Sequence, residues 1–168
     1  RSERVSFPGG SGFQLAGIVD FPENTPQATA IFTHCFTCSK DLKAIVRISR
    51  GLAELGFLVL RYDLTGLGGS QGDFSHTNFS TNQADLLAAA EYFSATFQAP
   101  DFLIGHSFGG ACSLSLAQRM PSIRGVVSLA SPSDTSHLAE LLNRMDPEIA
   151  VKGIGIVTIG NREIVIRK

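Results

Sequence analysis

The stretch Phe102-Leu103-Ile104-Gly105-His106-Ser107-Phe108-Gly109-Gly110-Ala111 carries the reading of the fold. Residues 102 to 104 are apolar, as expected of a strand buried on both faces of a parallel sheet. The run from Gly110 to Met120 reads as a helix stopped by Pro121. Between them, Gly105, Ser107 and Gly109 fit the pattern G-x-S-x-G, in which a strand reverses sharply into a helix. Small neighbours are required because a larger side chain at 105 or 109 crowds the reversal. Such a bend lifts the Ser107 hydroxyl above the sheet edge, while the first amides of the new helix point at the same spot. Acyl transfer by a serine nucleophile needs that geometry. An incidental serine in a glycine-rich turn is the alternative, and the predicted strand and helix on either side argue against it.

Outward from this segment, strand and helix patterns alternate. Val5 to Phe7 and Phe13 to Phe21 read as an opening antiparallel hairpin around the turn Pro8-Gly9-Gly10-Ser11-Gly12. Ala28 to Thr33 is a buried strand, Leu42 to Leu55 a helix stopped by Gly56, and Phe57 to Tyr62 the next strand. A glycine-rich loop from Asp63 to Asn78 leads to a helix over Asn82 to Phe97. After the elbow come a strand over Gly125 to Ala130 and a helix from Ser136 to about Arg144. Alternation of this kind implies right-handed crossovers and a doubly wound, mostly parallel α/β sheet flanked by helices. The tail departs from it, since Gly153 to Gly160 and Glu163 to Arg167 around Asn161-Arg162 read as a hairpin. The expectation is one domain over 1–168, with its core in 1–132 and a lid and β-rich tail in 133–168.

Composition narrows the function. The 168 residues are 43% hydrophobic, enough for a real core, and only 17% charged, with net charge −1. No basic stripe marks a nucleic-acid or anionic-membrane partner, and no apolar stretch reaches the ~20 residues that span a bilayer. The expected partner is a small molecule. Three cysteines, an odd number, argue against a disulfide framework and point to a reducing, cytoplasmic compartment. The first residue is Arg1, not Met, which reads as a start inside a longer protein.

Taken together, the chain resembles the α/β-hydrolase superfamily over nearly its whole length. The resemblance rests on the opening hairpin, on Thr33-His34-Cys35-Phe36 at a strand end, on Asp63-Leu64-Thr65-Gly66-Leu67-Gly68-Gly69-Ser70 after the next strand, and on the elbow. It implies a serine hydrolase acting on an ester or similar acyl bond without metal or organic cofactor. It further implies Ser107 as nucleophile and the backbone amides of Phe108 and Phe36 as the oxyanion hole. Family members often have Gly where this chain has Cys35, which Cys replaces at some cost in backbone freedom. The run His34-Cys35-Phe36-Thr37-Cys38-Ser39-Lys40 is similar to bacterial hydrolases fused to an OsmC-type thiol peroxidase domain.

A serine nucleophile needs a histidine base and a carboxylate, in this fold ordered Ser, Asp or Glu, His. Of four histidines, only His137 follows Ser107. It reads as a solvated residue at a helix start. His106 is expected in the packing beside the elbow, His34 at the strand end that shapes the oxyanion loop, and His76 in a distant loop. Asp134 is the candidate acid, and Ser133-Asp134 before a helix is also a capping signature. The simplest account is an N-terminal part of a longer hydrolase, lacking its base and acid, whose unpaired strand edges favour self-association.

Other readings stay open. Cys35-x-x-Cys38 between strand and helix suggests a thiol redox role, an incidental pair or, with His34, His106 or Cys112, a zinc site. Gly66, Gly68 and Gly72 raise nucleotide binding, but Gln71 stands where G-x-G-x-x-G needs glycine. Asp63 reads as a turn cap rather than an acid catalyst. A non-catalytic binding module of the same fold is the remaining class.

Overall fold

The computed structural model describes residues 1–134 and 136–167. Two strands open it, β1 (Ser2–Pro8) and β2 (Gln14–Asp20), paired antiparallel from Ser2 opposite Asp20 to Pro8 opposite Gln14. Then follow β3 (Ala28–Thr33), α1 (Lys43–Glu54), β4 (Phe57–Tyr62), α2 (Phe79–Thr96), β5 (Phe102–His106), α3 (Phe108–Leu116) and β6 (Gly125–Leu129). The sheet order is β1-β2-β4-β3-β5-β6, with the last four strands parallel. This is the doubly wound arrangement expected from the alternation of elements.

Period-two alternation covers the sheet on both faces. From β3, Ala30 and Phe32 join Val59, Ile104 and the α1 residue Ile45 on one side. Ile31 faces the other side, with Leu58, Leu60, Leu103, Phe7 and the α2 residues Leu86, Ala89 and Phe93. All six β3 side chains are buried, which fixes this strand at the centre. Helix α1 turns Ile45, Ser49 and Ala53, at four-residue spacing, toward the sheet.

The last fifth of the chain forms a smaller unit: α4 (Ser136–Met145), α5 (Glu148–Lys152), and the hairpin β7 (Ile154–Ile159) and β8 (Arg162–Arg167). Leu142, Ile149, Val157 and Ile166 form its core, and Phe36 and Phe74 pack against it from the main domain. Several boundaries differ from expectation. Helix α2 starts at Phe79, three residues early, because Asn78 and Thr81 form a reciprocal capping box. Helix α3 ends at Leu116 in a 3-10 turn, and α5 was not anticipated.

One buried ion pair ties the antiparallel edge to the rest. Arg61 and Asp20 are 2% and 1% exposed and meet at 2.9 Å, with the Ser2 and Ser49 hydroxyls completing the carboxylate's partners. Burial pushes the Asp20 carboxyl up, but hydrogen bonds from Ser2, Ser49 and Arg61 and the guanidinium charge outweigh it, so its pKa lies below the ordinary 3.8. The unfolded chain therefore takes up this proton first as pH falls. The stabilisation is complete above about pH 4 and is lost as pH drops through the folded value. Asp20→Asn should flatten the acid side of a plot of unfolding free energy against pH. Arg61→Met, which strands the carboxylate, should cost about 3–5 kcal/mol in urea unfolding at neutral pH.

Candidate active site

Three non-glycine residues have positive φ: Thr37 at 62°, Ser107 at 53° and Ala130 at 51°. Each follows a parallel strand, β3, β5 or β6, so all three gather at the carboxyl edge of the sheet, where open α/β sheets bind ligands. Backbone held there costs of order 1–3 kcal/mol per residue and persists only where the surroundings over-determine it.

At Ser107 the surroundings are explicit. Its N–H donates to the Leu129 carbonyl at 2.8 Å, and its own carbonyl accepts from Gly110 N–H at 3.0 Å and Ala111 N–H at 3.2 Å. The residue thus leaves the sheet and starts α3 in one step, with ψ at −118°. A Cβ on Gly105 would strike the Gly109 carbonyl, one on Gly109 the Thr33 and His34 carbonyls, and one on Gly110 the Ser131 hydroxyl. These glycines let α3 begin in backbone contact with β3 and β5. Among the described residues the Ser107 hydroxyl has no hydrogen-bond partner.

The loop after β3 is shaped by His34, which is fully buried. Burial lowers its pKa, against the raising effect of the Cys35 carbonyl and Asp63, so the imidazole is neutral at pH 7. A neutral ring has one donor and one acceptor, and both are used. Nδ1–H donates to the Cys35 carbonyl at 2.7 Å, and Nε2 accepts from Leu64 N–H at 3.1 Å. Carbonyl and N–H of a trans peptide point oppositely, so drawing the Cys35 carbonyl toward His34 turns the Phe36 N–H away from it. Neither Phe36 N–H nor Phe108 N–H, the first of α3, meets an acceptor among the described residues.

Asp63 braces the same region. It is fully buried and accepts from Lys40 N–H at 2.7 Å, Lys40 Nζ at 2.9 Å and Gly69 N–H at 2.9 Å. Burial opposes the Lys40 charge, but hydrogen bonds and charges from Asp41 and Asp63 raise its pKa. Gly68, at φ 54°, has no room for a Cβ beside the Asp63 carboxyl. The loop therefore turns Gly68 and Gly69 around a carboxylate of the chain itself, while a Cβ on Gly66 would strike the Phe74 backbone and one on Gly72 the Thr65 side chain. Asp85 extends the bracing, accepting from Thr65 N–H at 2.8 Å and Gly10 N–H at 3.1 Å.

Four rings flank the two free amides: Phe36 lies 5.3 Å from Phe74 and 6.0 Å from Phe108, and Phe108 lies 5.2 Å from Phe79. With Leu138 and Leu142 of α4 they line a cavity of about 240 Å³. A larger hollow of about 710 Å³, between Arg1, Asp20 and Glu54, lies at the opposite edge of the sheet, away from these amides. Sequence reading did not single out Phe74, Phe79, Lys40 or Arg162. Phe36 and Phe108 are the cavity residues that the sequence pointed to, for their amides.

The other candidates are dispersed. Asp134 is fully exposed and accepts from Ser136 N–H at 2.8 Å and Ser136 Oγ at 2.6 Å, bonds that hold its carboxyl below the usual range. His76 is exposed, 3.8 Å from Asp73. His106 keeps a buried Nδ1 without a partner, and no imidazole is hydrogen-bonded to Ser107 among the described residues. The cysteines correct an expectation: Cys35 and Cys38 form a disulfide, with Cα atoms 5.2 Å apart, leaving Cys112 free and buried. An odd count excludes a full pairing scheme but not a bridge between neighbours brought together by one turn. No cluster of metal-ligating side chains occurs among the described residues.

His34→Ala would leave the Cys35 carbonyl and Leu64 N–H without their side-chain partner. It should cost about 1–3 kcal/mol in urea unfolding near pH 7.5. Since the folded imidazole titrates below the ordinary 6.5, wild-type stability should decline as pH falls through that lowered value. In the variant this contribution should be absent.

Comparison with known proteins agrees with the fold. Residues 25–153 match the family described as Serine aminopeptidase, S33. Monoglyceride lipase of Rattus norvegicus is 30% identical over 142 residues, covering 77% of this chain and 46% of the lipase. The esterase domain of a Rhodothermus marinus protein superposes with a TM-score of 0.71 at 36% identity, over 98% of this chain and 64% of that one. A Xanthomonas campestris protein described as an a/b serine hydrolase without lid gives 0.70 at 31% identity, over 80% and 63%. The chain spans about half the length of the curated relatives it matches. The sheet order, the strand-to-helix bend at Ser107 and the family match over most of the sequence make this chain a member of the serine aminopeptidase S33 family, within the α/β-hydrolase superfamily.

Proposed function

We propose that this protein is a serine hydrolase that cleaves an ester or related acyl bond, with Ser107 as its nucleophile. The observation that carries the reading is the Ser107 backbone, held at φ 53° at the sheet's carboxyl edge with an uncommitted hydroxyl and two unpaired N–H groups, Phe108 and Phe36, in the adjoining turns. In this reading Ser107 Oγ attacks the acyl carbon, and the oxygen that gains charge is met by both amides. The leaving alcohol departs, and water then releases the acyl group from Ser107. The aromatic cavity takes an apolar part of the substrate, and the unit from Ser136 to Arg167 covers it as a lid.

The proton on Ser107 needs a base, and no imidazole among the described residues is hydrogen-bonded to its hydroxyl. The base and its carboxylate are assigned to parts of a longer protein, in keeping with relatives of which the match covers less than half. Being backbone groups, the oxyanion donors are unaffected by most side-chain changes, and each is worth roughly 3–4 kcal/mol in such sites.

In a protein of the relatives' full length, Ser107→Ala should reduce p-nitrophenyl acetate turnover by on the order of 10⁴-fold or more. The 168-residue chain alone should retain only about 10³-fold over water, from oxyanion hole and binding. Full activity in the short chain, abolished by Ser107→Ala, would place the base inside it. Full-length turnover indifferent to Ser107→Ala would overturn the assignment.

A further inference from the structure

Phe36 and Thr37 are the corners of a turn whose ends are Cys35 and Cys38. The turn is closed twice, by Cys38 N–H donating to the Cys35 carbonyl at 3.1 Å and by the disulfide. Its second corner, Thr37, has φ 62°. A free turn selects glycine or asparagine there, and a β-branched residue is a poor occupant. The covalent bond supplies the constraint that the sequence of the turn does not.

Three features of the site hang on that constraint. The Phe36 N–H lies inside the turn. The Phe36 ring packs on Phe74 and Phe108 in the cavity wall. The Thr37 carbonyl accepts from Arg162 Nη2 at 2.7 Å, which anchors the β7–β8 hairpin to the main domain. Cys35 is 8% exposed, whereas Cys38 is half-buried, so an external thiolate reaches the Cys38 sulfur more readily.

We propose that Cys35–Cys38 is a thiol-exchange site, taking dithiol reductants, whose opening loosens the oxyanion turn and whose closure restores it. As a control on activity this rests on the Ser107 reading above. In the forward step a reductant thiolate attacks Cys38 Sγ. The Cys35–Cys38 bond breaks, and Cys35 leaves as a thiolate that takes a proton from solvent. The reductant's second thiolate then attacks its own sulfur in the mixed disulfide, and Cys38 is released and protonated. The reductant departs as a cyclic disulfide, two electrons having passed to the protein. Oxidised dithiol reverses the sequence. Once freed, Thr37 leaves the left-handed region and its carbonyl turns from Arg162.

The test treats the native protein with dithiothreitol and reads three signals: alkylation mapped by mass spectrometry, hydrogen exchange of the segment from His34 to Asp41, and ester turnover of the full-length protein. The expected result is labelling of Cys35 and Cys38 but not of Cys112, whose thiol burial and Asp85 push up to about 12. Exchange of the Cys38 N–H, which the Cys35 carbonyl holds in the closed turn, should accelerate at least tenfold. Turnover should fall at least tenfold, return with oxidised dithiothreitol, and stay low and unresponsive in a Cys35→Ser, Cys38→Ser double variant. A disulfide reduced only after unfolding would overturn the proposal, as would reduction that leaves exchange unchanged or leaves turnover of an active protein unchanged. Exchange is read without turnover, so an oxidised protein with no esterase activity counts against the Ser107 reading alone.

Discussion

Backbone contact between the start of α3 and the ends of β3 and β5 is the constraint from which the site follows. Gly109 lies against the Thr33 and His34 carbonyls, and Gly105 against the Gly109 carbonyl, with no room for a Cβ at either. A helix docked that closely leaves one way to join strand to helix, through a residue forced into positive φ. Ser107 is that residue, and its bond to the Leu129 carbonyl holds the bend against β6. The cost of the strained backbone is spread over a packed region, and the result is a small polar side chain presented at the sheet's carboxyl edge.

Around that point the chain uses buried polar groups as fixtures. Neutral His34 orients one peptide plane, Asp63 joins the loops after β3 and β4 through three N–H donors, and Asp85 joins the first turn to the loop after β4. None of these groups is left buried without partners, which is the condition for polar groups to rigidify a core rather than weaken it. Rigidity here is what an oxyanion site requires, because its donors must stand in place before charge develops.

Much of this was legible in the sequence. The all-apolar strands, the alternation of elements and the spacing of Gly105, Ser107 and Gly109 specified the fold and the bend, because each depends on local pattern. The terminal hairpin was also readable from its β-rich runs around Asn161-Arg162. What escaped was set by tertiary contact. The Lys40–Asp63 pair joins residues far apart in sequence, and nothing local distinguishes it from two solvated charges. The start of α2 was missed because apolar periodicity begins at Asn82, while the cap that nucleates the helix is the polar pair Asn78 and Thr81. Counting cysteines failed for Cys35 and Cys38 because a count says nothing of a turn that brings two of them together. Asp134 carried both a catalytic and a capping reading, and in the structure its carboxyl accepts two bonds from Ser136.

The proposed chemistry requires that one hydroxyl and two amides converge on a single acyl position. It is tested most directly by a crystal structure of the full-length protein after reaction with a fluorophosphonate. The expected result is a covalent adduct on Ser107 Oγ, with one phosphoryl oxygen about 2.7–3.1 Å from the backbone nitrogens of both Phe36 and Phe108. An adduct on another residue, or a phosphoryl oxygen on Ser107 turned away from both amides, would contradict it.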